Sequence, residues 1–236
     1  MPRPMTSYTK ILRTAGLASL IAGFTLSAAA TLGAASLPGP ALDENRSEKK
    51  SETVVVAGGC FWGVQAVFDA VKGVSSAVSG YSGGSKANAQ YEIVSTGTTG
   101  HAESVQITYD PSQVSFGQLL KIYFSVAHDP TELNRQGPDE GTQYRSEIFY
   151  TTDEQKRIAE AYIQQLSAAK VFRKPIVTKV APLQAFYKAE DYHQDYVHHC
   201  QQNSPLCTNK GYVVYNDLPK LTNLHAEFPE LLKGGK

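Results

Sequence analysis

A buried strand is handed to a helix through Gly58-Gly59-Cys60-Phe61-Trp62-Gly63, and this junction constrains the fold more than any other stretch of the chain. Val54-Val55-Val56 before it is an unbroken β-branched run, the mark of a buried strand. After it, Val64, Val67, Phe68 and Val71 recur at spacings of three and four, one apolar side of a helix. Lys72-Gly73 then supplies a cation and a glycine stop. Cys60 therefore falls at a helix N-terminus, where free N–H groups and the macrodipole favour a thiolate. The competing reading is a small buried cysteine filling space between strand and helix.

The rest of the mature chain alternates in the same way. Val74 to Tyr81 reads as a strand running into the loop Ser82-Gly83-Gly84-Ser85, and Thr96 to Gly100 is a second glycine-containing loop. Val105, Ile107 and Tyr109 alternate with Gln106 and Thr108, which predicts a half-buried strand. Ser115 with Gln118 is a capping-box pair, followed by the stripe Phe116, Leu119, Leu120, Tyr123, Phe124 and Ala127. From His128 to Tyr144 there is no periodicity, and a loop of that length inside a domain is usually functional or disordered. Glu147 to Tyr150 reads as a strand, Thr152 with Gln155 as a helix cap, Ile176 to Val180 as a strand and Ala189 to Val197 as a short helix. The expected fold is α+β: one domain, a mixed sheet layered with helices, and a loop-rich C-terminal tail.

With 236 residues and 13 tyrosines the chain can bury a sizeable core. Its 22 basic residues balance 22 acidic ones, which gives no indication of a nucleic-acid partner. Arg3, Lys10 and Arg13 are the only charges in the first 42 residues. Residues 1–35 are expected to be a secretory signal, with small residues at Ala28-Ala29-Ala30 and Gly33-Ala34-Ala35 for cleavage. An uncleaved membrane anchor is the alternative, and only that case brings in a membrane. The protein is thus expected to be exported, periplasmic or extracellular. Residues 36–52 read as a polar linker, 53–200 as the catalytic domain and 201–236 as a tail. Nothing in the sequence specifies an oligomer, so a monomer is expected.

An oxidising compartment makes three cysteines informative, because an odd count leaves one unpaired or all three in exchange. A disulfide between Cys200 and Cys207 would close a short loop and leave Cys60 free.

Five segments in order resemble one family, peptide methionine sulfoxide reductase A. They are Gly59-Cys60-Phe61-Trp62-Gly63, Gly100-His101-Ala102-Glu103, Asp129-Pro130-Thr131, the run Asp139 to Ser146, and Ala189-Glu190-Asp191-Tyr192-His193-Gln194. The resemblance covers about residues 53–197. The stretch Tyr212 to Leu232, with Asn216-Asp217-Leu218-Pro219-Lys220-Leu221 and Phe228-Pro229-Glu230-Leu231, looks like a tail found in some members. The resemblance implies a ferredoxin-like core and reduction of the S epimer of methionine sulfoxide, free or in proteins.

A sulfoxide oxygen leaves only when protonated, so the reaction needs a soft nucleophile and a proton donor. The resemblance assigns Cys60 as nucleophile and Glu103, placed just before its strand, as acid; Glu103 must then hold its proton through burial. It gives Phe61 and Trp62 the substrate methyl group, Tyr91 and Tyr144 the sulfoxide oxygen, and Asp139 an orienting role. Tyr144 ranks above Tyr91, because Asn88-Ala89-Gln90 departs from the family's context. Cys200 and Cys207 are the candidates for resolving oxidised Cys60, with Cys207 expected first. A thioredoxin-like protein is the expected reductant, since no flavin or nicotinamide motif is present, and no cofactor is expected.

Two other functions fit parts of the sequence. A thiol hydrolase or acyltransferase would use Cys60 with His101 or His193 as base, but its sharp elbow wants glycine where Trp62 stands. A metal module would use His193, His198, His199, Cys200 and Cys207, whose spacing fits no standard zinc site; no metal is expected.

Overall fold

Strand β1 (Glu52–Gly58) runs through the middle of a six-stranded sheet, and its burial on both faces explains its unbroken apolar run. The structure, a computed structural model, describes residues 36–45 and 51–234; the export segment 1–35 lies outside the described residues. After β1 come α1 (Phe61–Asp69), β2 (Val74–Ser82), the single turn α2 (Tyr91–Val94), β3 (Ala102–Tyr109) and α3 (Phe116–Ile122). The two-residue strands β4 (Arg135–Gln136) and β5 (Asp139–Glu140) form a small hairpin within the long loop. Then follow β6 (Ser146–Tyr150), α4 (Asp153–Ala168), β7 (Lys179–Pro182), β8 (Phe186–Lys188), α5 (Tyr196–Gln201), α6 (Lys210–Tyr212) and α7 (Leu218–Glu227).

The strand order is β7-β6-β1-β3-β2-β8. All neighbours are antiparallel except β6 and β7, so the sheet is mixed, as expected. Val54 lies opposite Ile107 and Val56 opposite Val105, which aligns the apolar side chains of the two strands on one face. Against that face pack Val64, Val67 and Phe68 of α1, Leu119 and Leu120 of α3, and Ile158, Tyr162 and Leu166 of α4. Each such side chain contributes roughly 1.5–3 kcal/mol on burial. Val55, Ala57, Ala102 and Phe149 turn to the other face and meet Ala181, Leu183 and Phe186.

Local chemistry sets the helix starts. Ser115 and Gln118 form the expected capping box, and the Thr152 hydroxyl accepts from Gln155 N–H. Several boundaries differ from expectation. Helix α1 ends at Asp69, and Gly73 takes φ +89° in the turn before β2. The strand expected at 176–180 pairs at Lys179–Pro182. The helix expected over 189–197 is a turn at Asp191–His193 and then α5, separated by Asp195 at φ 52°. Residues 202–209 are loop, but residues 210–227 add helix to the tail, and Leu224 and Phe228 join the main core. Pro219 punctuates no loop there; it stands in the first turn of α7, where a missing N–H costs nothing.

The segment 36–45 is not a free linker. Asp43 Oδ1 accepts from Gly117 N–H at 2.8 Å and Glu44 Oε1 from Phe116 N–H at 2.6 Å, so two carboxylates cap α3. The Tyr162 hydroxyl donates to Pro38 O at 2.7 Å, and Gln165 Nε2 to Gly39 O at 2.8 Å.

Candidate active site

Cys60 is the N-cap of α1, placed between Gly59 at φ +88° and the first helical turn. Left-handed backbone suits glycine, and Gln136 of β4 packs where a Gly59 side chain would go. A cavity of about 100 Å³ opens at this turn, lined by Cys60, Phe61, Trp62, Tyr91, Glu103, Asp139, Tyr144, Asn209 and Tyr212. The sequence-predicted nucleophile, acid and substrate-binding residues thus meet around one hollow.

Glu103 does not precede its strand; it lies within β3, opposite Tyr81 of β2. Period-two alternation puts it on the same face as Val105, Ile107 and Tyr109. That face is the apolar core, which is why a carboxyl group here is only 3% exposed. Its Oε2 accepts from Phe61 N–H at 3.0 Å, which fixes the carboxyl beside the Cys60 turn. Burial pushes Glu103 up to about 8, with Asp139 and Asp217 adding to the rise and the Phe61 N–H opposing it. At neutral pH it therefore holds a proton.

Cys60 departs from expectation. It is 7% exposed, and its thiol is pushed well above the ordinary range. Burial is the main cause, followed by the charges of Glu103 and Asp217; the Trp62 N–H and Lys220 pull the other way. The helix N-terminus loses because its Phe61 N–H is bound to Glu103 and because desolvation penalises the thiolate more than one amide stabilises it. The resting state is a thiol.

Aromatic groups wall the hollow. Trp62 stacks on Tyr196 with centroids 3.8 Å apart and planes 15° apart, and Tyr212 meets its edge at 5.8 Å. Trp62 Nε1–H donates to His193 Nδ1 at 3.0 Å. Tyr91 is set by its backbone N–H, which donates to Glu190 Oε1 at 2.9 Å; the Tyr81 hydroxyl donates to Oε2 of the same carboxylate at 2.8 Å. Tyr144 closes the turn after Gly141, and Arg145 pins that turn through bonds to Thr142 O, His101 O and Gly100 O and an ion pair with Glu147. Both tyrosine hydroxyls are pushed up, chiefly by burial, and remain donors.

Asn209 and Tyr212 were missed by the sequence reading. They come from the tail, beyond the five segments that carry the resemblance, and the Tyr212 hydroxyl donates to Asp139 Oδ2. The glycine and tyrosine of Lys210-Gly211-Tyr212 gave no periodic signal that could place them at the cavity. Cys200 and Cys207 are joined to each other with Cα atoms 4.8 Å apart, and Cys60 is free. Cys200 is 2% exposed in a cluster with Tyr196, Val197 and Val213, which Trp62 and the less buried Cys207 adjoin.

The peptide methionine sulfoxide reductase family model matches residues 52–220. The chain belongs to this family. It is 58% identical to peptide methionine sulfoxide reductase MsrA 2 of Mesorhizobium japonicum over 188 residues, 80% of this chain and 93% of that protein. It is 48% identical to MsrA 2 of Synechocystis sp. over 221 residues, 92% of this chain and 98% of that protein. Among solved structures, methionine sulfoxide reductase A of Corynebacterium diphtheriae matches with TM-score 0.55 and 38% identity, covering 69% of this chain and 82% of that one. Reduced Mxr1 of Saccharomyces cerevisiae matches with TM-score 0.58 and 30% identity, over 69% of this chain and 92% of that one. The family is one of oxidoreductases that reduce methionine sulfoxide. The two other functions gain no support. The lining of the cavity includes no histidine to serve as a hydrolase base, and the two tail sulfurs are bonded to each other rather than open to a metal.

Proposed function

We propose that the cavity at Cys60 reduces the S epimer of methionine sulfoxide, free or in proteins, with the roles that follow. One observation carries this reading: a carboxyl buried at Glu103 and the sole free thiol among the described residues are fixed at the same helix start, linked through Phe61 N–H. The methyl group of the substrate lies against Phe61 and Trp62. Its oxygen takes hydrogen bonds from Tyr91 and Tyr144, and Asp139 orients the site.

Cys60 sulfur attacks the sulfoxide sulfur while Glu103 gives its proton to the departing oxygen. Cys60 acts from the thiol state by passing its own proton to the carboxylate that Glu103 has just become, which reloads the acid. The protonated oxygen passes to the Cys60 sulfur as the bond between the two sulfurs breaks, so methionine leaves reduced and Cys60 becomes a sulfenic acid. A tail thiol condenses with it, releasing water and forming a disulfide. Exchange with the remaining cysteine frees Cys60 and joins Cys200 to Cys207, the pairing seen here. Cys207 acts first on this reading: it lies in the loop 202–209, whereas Cys200 is fixed at the buried end of α5. A thioredoxin-like dithiol protein then reduces the last disulfide, taking up its oxidising equivalents. The protein works as an exported monomer, its first 35 residues removed as a signal.

The test is intact-mass analysis of the reduced protein after one equivalent of methionine sulfoxide, followed by peptide mapping of the first disulfide. A Cys60–Cys207 link is expected. An unmodified Cys60 after substrate has been consumed would overturn the assignment.

A further inference from the structure

The tail segment Asn216-Asp217-Leu218-Pro219-Lys220-Leu221 takes no part in the steps above, yet it brings a charge pair to the foot of the site. Asp217 ends the π-helical turn Val213–Asp217 and is fully buried. It presses on Gly63 in the first turn of α1, where an added Cβ would overlap its Oδ1. Neither carboxylate oxygen has a hydrogen-bond partner. Lys220 Nζ, on a side chain 15% exposed, lies 3.8 Å from Oδ1. A carboxylate buried without donors is costly, and burial at a reaction centre gives its charge long reach, because water does not screen it.

We propose that Asp217 is a positioning residue of the reaction: its buried negative charge keeps protons on Cys60 and Glu103, and Lys220 opposes it. This rests on the reading of Cys60 as nucleophile and Glu103 as acid. The charged groups acting on Cys60 are Glu103 of β3 and, from the tail, Asp217 and Lys220. Those acting on Glu103 are Asp139 of β5 and Asp217. Asp139 is itself held by Tyr212. The directions agree with the geometry. After burial, Asp217 pushes both Cys60 and Glu103 up, while Lys220 pulls Cys60 down. Asp217 is itself raised by burial to about 6, with Lys220 holding it down, so it carries its charge at neutral pH. The result is a loaded acid beside a thiol that stays un-ionised, and so resists adventitious oxidation, until substrate arrives.

The experiment compares Asp217→Asn and Lys220→Met in the full chain with the Cys200–Cys207 disulfide formed, leaving Cys60 to react. Alkylation of Cys60 by iodoacetamide is followed by intact mass between about pH 7 and 9.5, where its rate follows the thiolate fraction. Asp217→Asn is expected to react about 3- to 30-fold faster, and Lys220→Met slower by a similar factor, shifts of roughly half to one and a half pKa units. In sulfoxide reduction the alkaline fall of Asp217→Asn is expected at lower pH than in the parent. Unchanged alkylation, or a change of the same sign in both variants, overturns the proposal; a loosened tail would speed both. If Asp217→Asn does not fold, Lys220→Met decides alone, with slower alkylation supporting the proposal and an equal or faster rate overturning it. Alkylation needs no sulfoxide, so its outcome stands apart from failure of the catalytic assignment, which would show as turnover without Cys60.

Discussion

Tyr212, from the tail, donates its hydroxyl hydrogen to Oδ2 of Asp139, in the hairpin of the long loop. The bond joins two segments that both line the Cys60 cavity, and it holds the tail against that cavity. Tyr212→Phe keeps the ring on the edge of Trp62 and removes only this bond. A net hydrogen bond is worth about 0.5–1.5 kcal/mol, so KM for a peptide sulfoxide is expected to rise roughly two- to tenfold with kcat little changed. Steady-state kinetics check this, and an unchanged KM would show that the bond does not shape the site.

In the proposed mechanism Glu103 supplies the proton, so Glu103→Gln is expected to lower kcat by about 10²–10⁴-fold and leave KM near its parent value. The pH dependence has a definite sign. A carboxyl raised to about 8 keeps its proton below that pH and loses it above, so activity falls on the alkaline side near pH 8. In Glu103→Gln that fall should vanish. Near-full turnover by the variant would remove Glu103 from the acid role.

Cys60→Ser is expected to abolish reduction while leaving the thermal transition in place. A hydroxyl of similar size fits the turn, and the sulfur makes no disulfide to lose. Assay of methionine release together with a melting curve separates the two effects.

In the proposed relay, replacing Cys200 and Cys207 together by serine leaves Cys60 without a resolving partner. One equivalent of methionine is expected per protein, with no further cycling on a thioredoxin-like donor. A single-turnover measurement against a multiple-turnover one checks this. Unchanged cycling would dismiss the tail relay.

Leu224 of α7 is fully buried in the main core, although it lies beyond the residues 52–220 that the family model matches. Leu224→Ala is expected to cost about 2–5 kcal/mol, read as a fall in the urea midpoint. A cost under about 0.5 kcal/mol would show that the tail helix adds little to the fold.

The sequence by itself determined the strand–cysteine–helix junction, because Val54 to Val56 and the Val64 stripe admit one periodicity each. It also marked the strand through Val105, Ile107 and Tyr109 by its alternation, but only the structure put Glu103 inside that strand and on its buried face. The family-like segments gathered Cys60, Phe61, Trp62, Glu103, Asp139 and Tyr144, the resemblance added Tyr91 from outside them, and the chain does bring all seven around one cavity. The tertiary structure alone decided the ionisation of the site. A helix N-terminus argues for a thiolate when Cys60 is viewed locally. Desolvation by the surrounding core and the charges of Glu103 and Asp217 reverse that argument, and those depend on which segments fold over the turn. It also decided that the tail walls the cavity and that Asp43 and Glu44 cap α3. Such contacts join residues more than 70 positions apart, and short-range periodicity carries no record of them.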